Sequence, residues 1–186
     1  MRAILFSAVF AILSTMALAQ DNPVVMMETS KGNITIELWP EKAPATVENF
    51  LRYTENNLYD GLIFHRVISG FMIQGGGFNG DMVQVSTYDP IKNEATAESP
   101  NNRGTIAMAR TNVVDSATSQ FFINLVNNDF LNHQNETPSG FGYAVFGEVI
   151  EGMEVVDDIA MVPTGRSGSY SDVPTEPVVI TSVRRK

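Results

Sequence analysis

Two polar residues sit symmetrically in an otherwise apolar stretch, and their spacing is the first sign of chemistry. In Phe64-His65-Arg66-Val67-Ile68-Ser69-Gly70-Phe71-Met72-Ile73-Gln74, Arg66 and Gln74 each lie four residues from Gly70. A hairpin turning at Gly70 sets them opposite each other, where cross-strand side chains touch. The Gln74 carboxamide oxygen can then accept from the Arg66 guanidinium and hold its planar fork. Strand alternation puts Met72 on the face of Gln74, so one face carries a fixed cation beside an apolar side chain. A lone arginine in a strand is usually a solvated surface charge; the facing glutamine and the apolar surroundings favour a site. A second stretch, Ser119-Gln120-Phe121-Phe122-Ile123, also alternates. Gln120 and Phe122 share one face, and Phe121 and Ile123 share the other. One aromatic is core and one faces elsewhere.

Other chemistries find little support. The chain has no cysteine, which excludes disulfides, thiolate nucleophiles and Cys-based metal sites. Neither His65 nor His133 has a second ligand at metal-binding spacing, so no metal and no cofactor are expected. A serine hydrolase would need one of these histidines as base, and no G-x-S-x-G turn is present to offer the serine. Gly75 to Gly80 fits G-x-G-x-x-G, yet residues 81–90 show no helical stripe and end in proline. They read as turn glycines, with Asn79-Gly80 as a tight turn. A formal net charge of -9 leaves no basic footprint for nucleic acid.

The elements that must position these residues can be read from hydrophobic period. Residues 24–29 and 33–38 read as a hairpin about Ser30-Lys31-Gly32. Residues 43–57 carry a helical stripe of Val47, Phe50, Leu51 and Tyr53 or Thr54, with Pro44 in the first turn. Strands follow at 62–68, 71–75, 104–110, 119–125, 142–150 and 177–183. A second helix is expected over 153–161, from Val155, Val156, Ile159 and Ala160. The stretch 78–102 reads as a long polar loop, and long loops in compact domains tend to be functional. Many short strands with two separated helices favour an antiparallel barrel or sandwich with helices at its ends. At the N-terminus, Arg2, an apolar run from Ala3 to Leu13 and Ala17-Leu18-Ala19 form the pattern of a cleaved export signal. Residues 1–19 are therefore expected to be removed. Residues 20–186 would then be a single exported domain with no membrane segment.

Taken together, FHRVISGFMIQGGGF (64–78), RGTIAMAR (103–110), SQFFIN (119–124) and FGYAVFGEVIEGM (141–153) resemble the cyclophilin family. KNEA (92–95) and IAMAR (106–110) resemble its bacterial periplasmic branch. The resemblance implies a mostly β fold: a closed eight-stranded antiparallel barrel capped by two α-helices. It implies a cofactor-independent peptidyl-prolyl cis/trans isomerase, with proline-containing unfolded or partly folded polypeptides as partners, acting as a periplasmic monomer. It also implies roles. Arg66 would be the catalytic arginine and Gln74 the residue that orients it. Phe71, Met72, Phe122 and Leu131 would form the proline pocket, and Gln120 would contact substrate. Ala109, Arg110 and Thr111 would bind substrate backbone, with Arg110 standing where the family often has Asn. Phe130 replaces a frequent Trp and Tyr143 a frequent His. Both belong to the expected pocket region, and the lost indole N–H implies weaker cyclosporin binding. A proline-peptide binding module or holdase with little turnover is the alternative.

Overall fold

The computed structural model of the protein describes residues 21–186. The expected cleavage site at Ala17–Ala19 lies outside the described residues. In chain order the elements are β1 (Val24–Thr29), β2 (Gly32–Leu38), α1 (Pro44–Glu55), β3 (Leu62–Ile68), β4 (Met72–Asn79), β5 (Thr105–Met108) and β6 (Phe121–Asn124). A single 3-10 turn (Asp129–Leu131), β7 (Val145–Glu151), α2 (Met153–Ala160), β8 (Thr164–Ser167), β9 (Tyr170–Pro174) and β10 (Ile180–Arg185) follow. Eight strands form one antiparallel sheet in the order β10-β1-β2-β7-β5-β6-β4-β3. Its two edges meet through backbone bonds: Gly61 N–H donates to Ile180 O and Phe64 N–H to Val178 O, both at 2.9 Å. The sheet is thereby almost closed, which leaves little free edge for another chain to pair with.

Alternation decides which side chains fill the barrel. Val67, Ile73, Ile106, Met108, Phe121, Ile123 and Phe146 point inward and join one buried cluster. Both helices close onto it: α1 through Val47, Phe50 and Tyr53, and α2 through Val156, Ile159 and Ala160. Phe121 is the hub of an aromatic packing, with its ring edge-on to Phe50, Tyr59 and Phe64 at centroid distances of 5.6–6.1 Å. The intervening residues point outward, and four of them, Met72, Ala107, Phe122 and Val145, form a second, smaller cluster with Leu131 of the 3-10 turn.

Three features depart from the reading of the sequence. Gly75 to Gly77 are not turn residues; β4 runs through them to Asn79, and the turn begins there, with Met82 N–H donating to Asn79 O at 3.0 Å. The glycines serve close packing instead. A Cβ on Gly77 would sit 2.5 Å from Gln120 Cγ, so the missing side chain is what lets Gln120 lie across β4. The β8–β9 hairpin is additional; its strands are short and only Val173 and Pro174 are buried, which leaves no apolar alternation to read. The stretch 78–102 is a loop as expected, but its side chains act as struts. Glu94 caps α1 from a distance: its carboxylate accepts from Ala45 N–H (3.1 Å), Thr46 N–H (2.8 Å) and Thr46 Oγ1 (2.8 Å). The two N–H groups are donors that the first turn of a helix cannot satisfy internally, and Ala43 at the N-cap has no side chain able to do so.

Candidate active site

Register assembles the site. Across adjacent strands Arg66 pairs with Gln74, Gln74 with Phe122, Phe122 with Ala107, and Ala107 with Val145. Five outward-facing residues on β3, β4, β6, β5 and β7 therefore stand in one row across the barrel wall, about 4.8 Å apart from strand to strand. The hairpin does turn about Gly70, as the equal spacing of Arg66 and Gln74 requires.

Above this row lies a hollow of about 210 Å³ lined by Arg66, Phe71, Met72, Gln74, Ala109, Arg110, Phe122, Leu131 and Tyr143. Nine of the residues singled out from the sequence thus come together. Its apolar part is built from the second cluster, and the Tyr143 ring stands edge-on to Phe122 at 5.6 Å and 81°. Three of the singled-out residues lie outside the lining. Phe130 is 66% exposed and packs its ring on Phe71 at 5.5 Å, because the 3-10 turn directs Leu131 inward and Phe130 outward. Thr111 turns away, its hydroxyl and N–H both bonded to Ser116 Oγ. Gln120 stands behind Gln74. A larger groove of about 640 Å³ runs beside α1, but it is lined by Asp21, Glu41, Glu48 and Glu55 among others and holds none of these residues.

Polar contacts correct one expectation. Gln74 does not accept from Arg66. Its Nε2 donates to Gln120 Oε1 at 2.9 Å, since Gly77 brings the Gln120 side chain within reach. Among the described residues, Arg66 makes no ion pair and its side chain donates to no protein group. Its N–H donors are uncommitted at the edge of an apolar hollow. Beside it, His65 is 5% exposed, packs at a tilt of 49° against Phe78 with ring centres 4.6 Å apart, and has no partner for Nδ1 among the described residues. Burial lowers its pKa to about 4; the Ile63 carbonyl and Gln120 oppose the shift, and Arg66 adds to it. His65 is therefore neutral at neutral pH. It is bonded to no serine, so the hydrolase reading lacks its nucleophile–base pair.

Reading by residue type missed the supports beneath the hollow. Asn101, Asn124 and Asn128 are nearly or fully buried and bonded to one another. Asn128 Nδ2 donates to Phe71 O at 3.0 Å, and Asn101 Nδ2 to Leu131 O at 3.1 Å. The network ties Phe71 and Leu131, both lining the hollow, to one buried support. Asparagine reads as a turn residue in sequence, so only an unbroken apolar context, as around Asn124 in FFINL, hints at burial.

The fold recurs in known proteins. The profile of cyclophilin type peptidyl-prolyl cis-trans isomerases matches residues 24–185. Peptidyl-prolyl cis-trans isomerase B of Escherichia coli (strain K12) is 56% identical over 160 residues, covering 86% of this chain and 98% of its own length. A crystal structure of a cyclophilin type isomerase from Cryptosporidium parvum superposes with a TM-score of 0.73 at 26% identity, covering 89% of this chain and 98% of that one. A second structure of that protein, in the presence of the dipeptide Ala-Pro, gives 0.71 at 26% identity, covering 88% and 98%. With a barrel, a match over nearly all described residues and relatives this similar, the chain belongs to the cyclophilin family of peptidyl-prolyl cis-trans isomerases.

Proposed function

We propose that this isomerase turns X-Pro bonds in unfolded or partly folded chains after their export, with Arg66 stabilising the twisted amide. Amide resonance sets a rotation barrier of about 18–20 kcal/mol. An X-Pro bond populates both isomers and exchanges over tens of seconds or longer. Catalysis must weaken the double-bond character of C–N, which needs neither nucleophile nor electron carrier. As the bond twists, the prolyl nitrogen pyramidalises and regains a lone pair. A guanidinium can donate to that lone pair, whereas the planar ground state offers almost nothing to accept, so the interaction favours the transition state.

The observation that carries this reading is an uncommitted Arg66 guanidinium at the edge of a hollow walled by Phe71, Met72, Phe122 and Leu131. The apolar walls suit a proline ring and exclude water, which strengthens the hydrogen bond. An acceleration of about five decades needs ~7 kcal/mol of transition-state preference. One charge-assisted bond supplies about 1.5–3 kcal/mol, and the grip of the hollow must supply the rest. The structure of the Cryptosporidium parvum relative in the presence of Ala-Pro supports a proline ligand. The export part of the proposal is supported by the pattern of residues 1–19.

An NMR exchange assay on an X-Pro peptide tests the activity: accelerated exchange supports it, line broadening without exchange leaves a binding module, and peptide cleavage indicates a hydrolase. Cell fractionation with intact-mass measurement tests the location. A monomeric periplasmic product starting at Gln20 is expected; a full-length cytoplasmic product contradicts it.

A further inference from the structure

We infer that Arg110, together with Arg66, biases this site toward proline segments that carry a carboxylate next to the proline. The inference rests on the isomerase reading and adds a substrate class to it. The lining of the hollow contains two guanidiniums and no carboxylate. Neither arginine forms an ion pair among the described residues. Arg110 is also held in place. Its Nε donates to Gly142 O at 3.0 Å, Nη1 to Thr111 O at 2.9 Å and Nη2 to Pro138 O at 2.8 Å. The guanidinium carbon lies 4.9 Å from the centre of the Tyr143 ring.

Carbonyls and a ring face fix the position of this charge without neutralising it. Gly142 can present its carbonyl here because its φ is +80° and a Cβ would meet His133 N at 2.6 Å. Among the described residues no carboxylate is paired with Arg110. Asp115 Oδ1 accepts from Asn93 N–H at 2.8 Å, and Glu136 lies 3.7 Å from His133 Nε2. The protein as a whole is acidic, at -9, so a positive hollow runs against its net charge. Screening confines the competition to short range, about 8 Å at physiological ionic strength, where the two arginines dominate. A carboxylate beside a bound proline is attracted and an ammonium repelled, each by roughly twofold to fivefold in affinity for the site.

The test measures kcat/KM for peptides with Glu, Ala or Lys immediately before proline, and for a second set with the same residues immediately after it. In at least one set Glu should exceed Lys by about tenfold at low ionic strength, and added salt should compress the ratio. Arg110→Gln should lower that ratio at least twofold. Arg110→Lys should keep it even where all rates fall, because the charge survives the loss of the fork. A parent ratio at or below one in both sets, or no response to salt, overturns the inference. So does an Arg110→Gln variant that slows all peptides equally, which would make Arg110 only a clamp on the 138–142 loop. Absence of exchange with every peptide would instead overturn the isomerase reading itself.

Discussion

An arginine whose donors meet no protein acceptor must be solvated by water or by whatever binds beside it, and this is the condition of Arg66. Its neighbour His65 is the opposite case, a titratable ring shut away from water. Because burial lowers the His65 pKa from 6.5 to about 4, the unfolded chain holds a proton between those values that the folded chain refuses. Stability from this group is complete above about pH 6.5 and falls as the pH drops through the window toward 4. At pH 4.5 the loss should approach roughly 2–3 kcal/mol. Urea unfolding at pH 7 and pH 4.5 checks this: His65→Phe should show a smaller pH-dependent drop than the parent, and equal drops would refute it. At this scale the sequence was legible where geometry is forced. Equal spacing about Gly70 placed Arg66 opposite Gln74, and alternation separated Phe121 from Phe122. Which acceptor a long amide chooses is not forced by register. The bond from Gln74 to Gln120 depends on space at Gly77, a packing detail that no residue type announces.

Helix α1 depends on a loop that is distant in sequence. Glu94→Ala should remove three bonds from its first turn and cost about 1–2 kcal/mol, read as a lower thermal midpoint. Glu94→Gln should recover part of this, since one amide oxygen still accepts. The strut under the hollow makes a different prediction. Asn128→Ala leaves Asn124 Oδ1 without its donor and takes one of two donors from Phe71 O, which keeps Leu125 N–H, at a cost of about 1–3 kcal/mol. Because Phe71 is a wall of the hollow, KM should rise more than kcat falls. An unchanged KM would separate the network from the site. Elements with a strong apolar period were readable: β1 and β3 keep the expected bounds, and both helices lie within theirs. The β8–β9 hairpin was not, because Thr164–Ser167 and Tyr170–Pro174 bury little and show no inward stripe. The glycine run reads as a turn because glycine is the commonest turn residue, yet here it lies within β4. The register shifts twice there: between Leu62 and Phe64 the extra residues lie on β4, and between Phe64 and Arg66 the extra residue lies on β3.

On the scale of the whole molecule, the interior cluster and the site lie on opposite faces of the same strands. The core residues of β3, β4, β5, β6 and β7 hold the barrel; the residues between them form the hollow. Closure through Gly61–Ile180 and Phe64–Val178 joins the β3 edge to the far end of the chain, so the row that begins at Arg66 rests on a wall braced around its whole girth. A side chain on that outer face with no protein hydrogen bond should contribute little to stability. Function and fold are therefore separable at Arg66, and Arg66→Ala measured both ways is the most direct test. The variant should keep the parent thermal midpoint and still bind an X-Pro peptide in an NMR titration. Its kcat/KM should fall by one to two orders of magnitude, from the loss of about 1.5–3 kcal/mol of transition-state bonding. Parent-like kcat/KM in a folded Arg66→Ala protein would contradict the role assigned to this guanidinium.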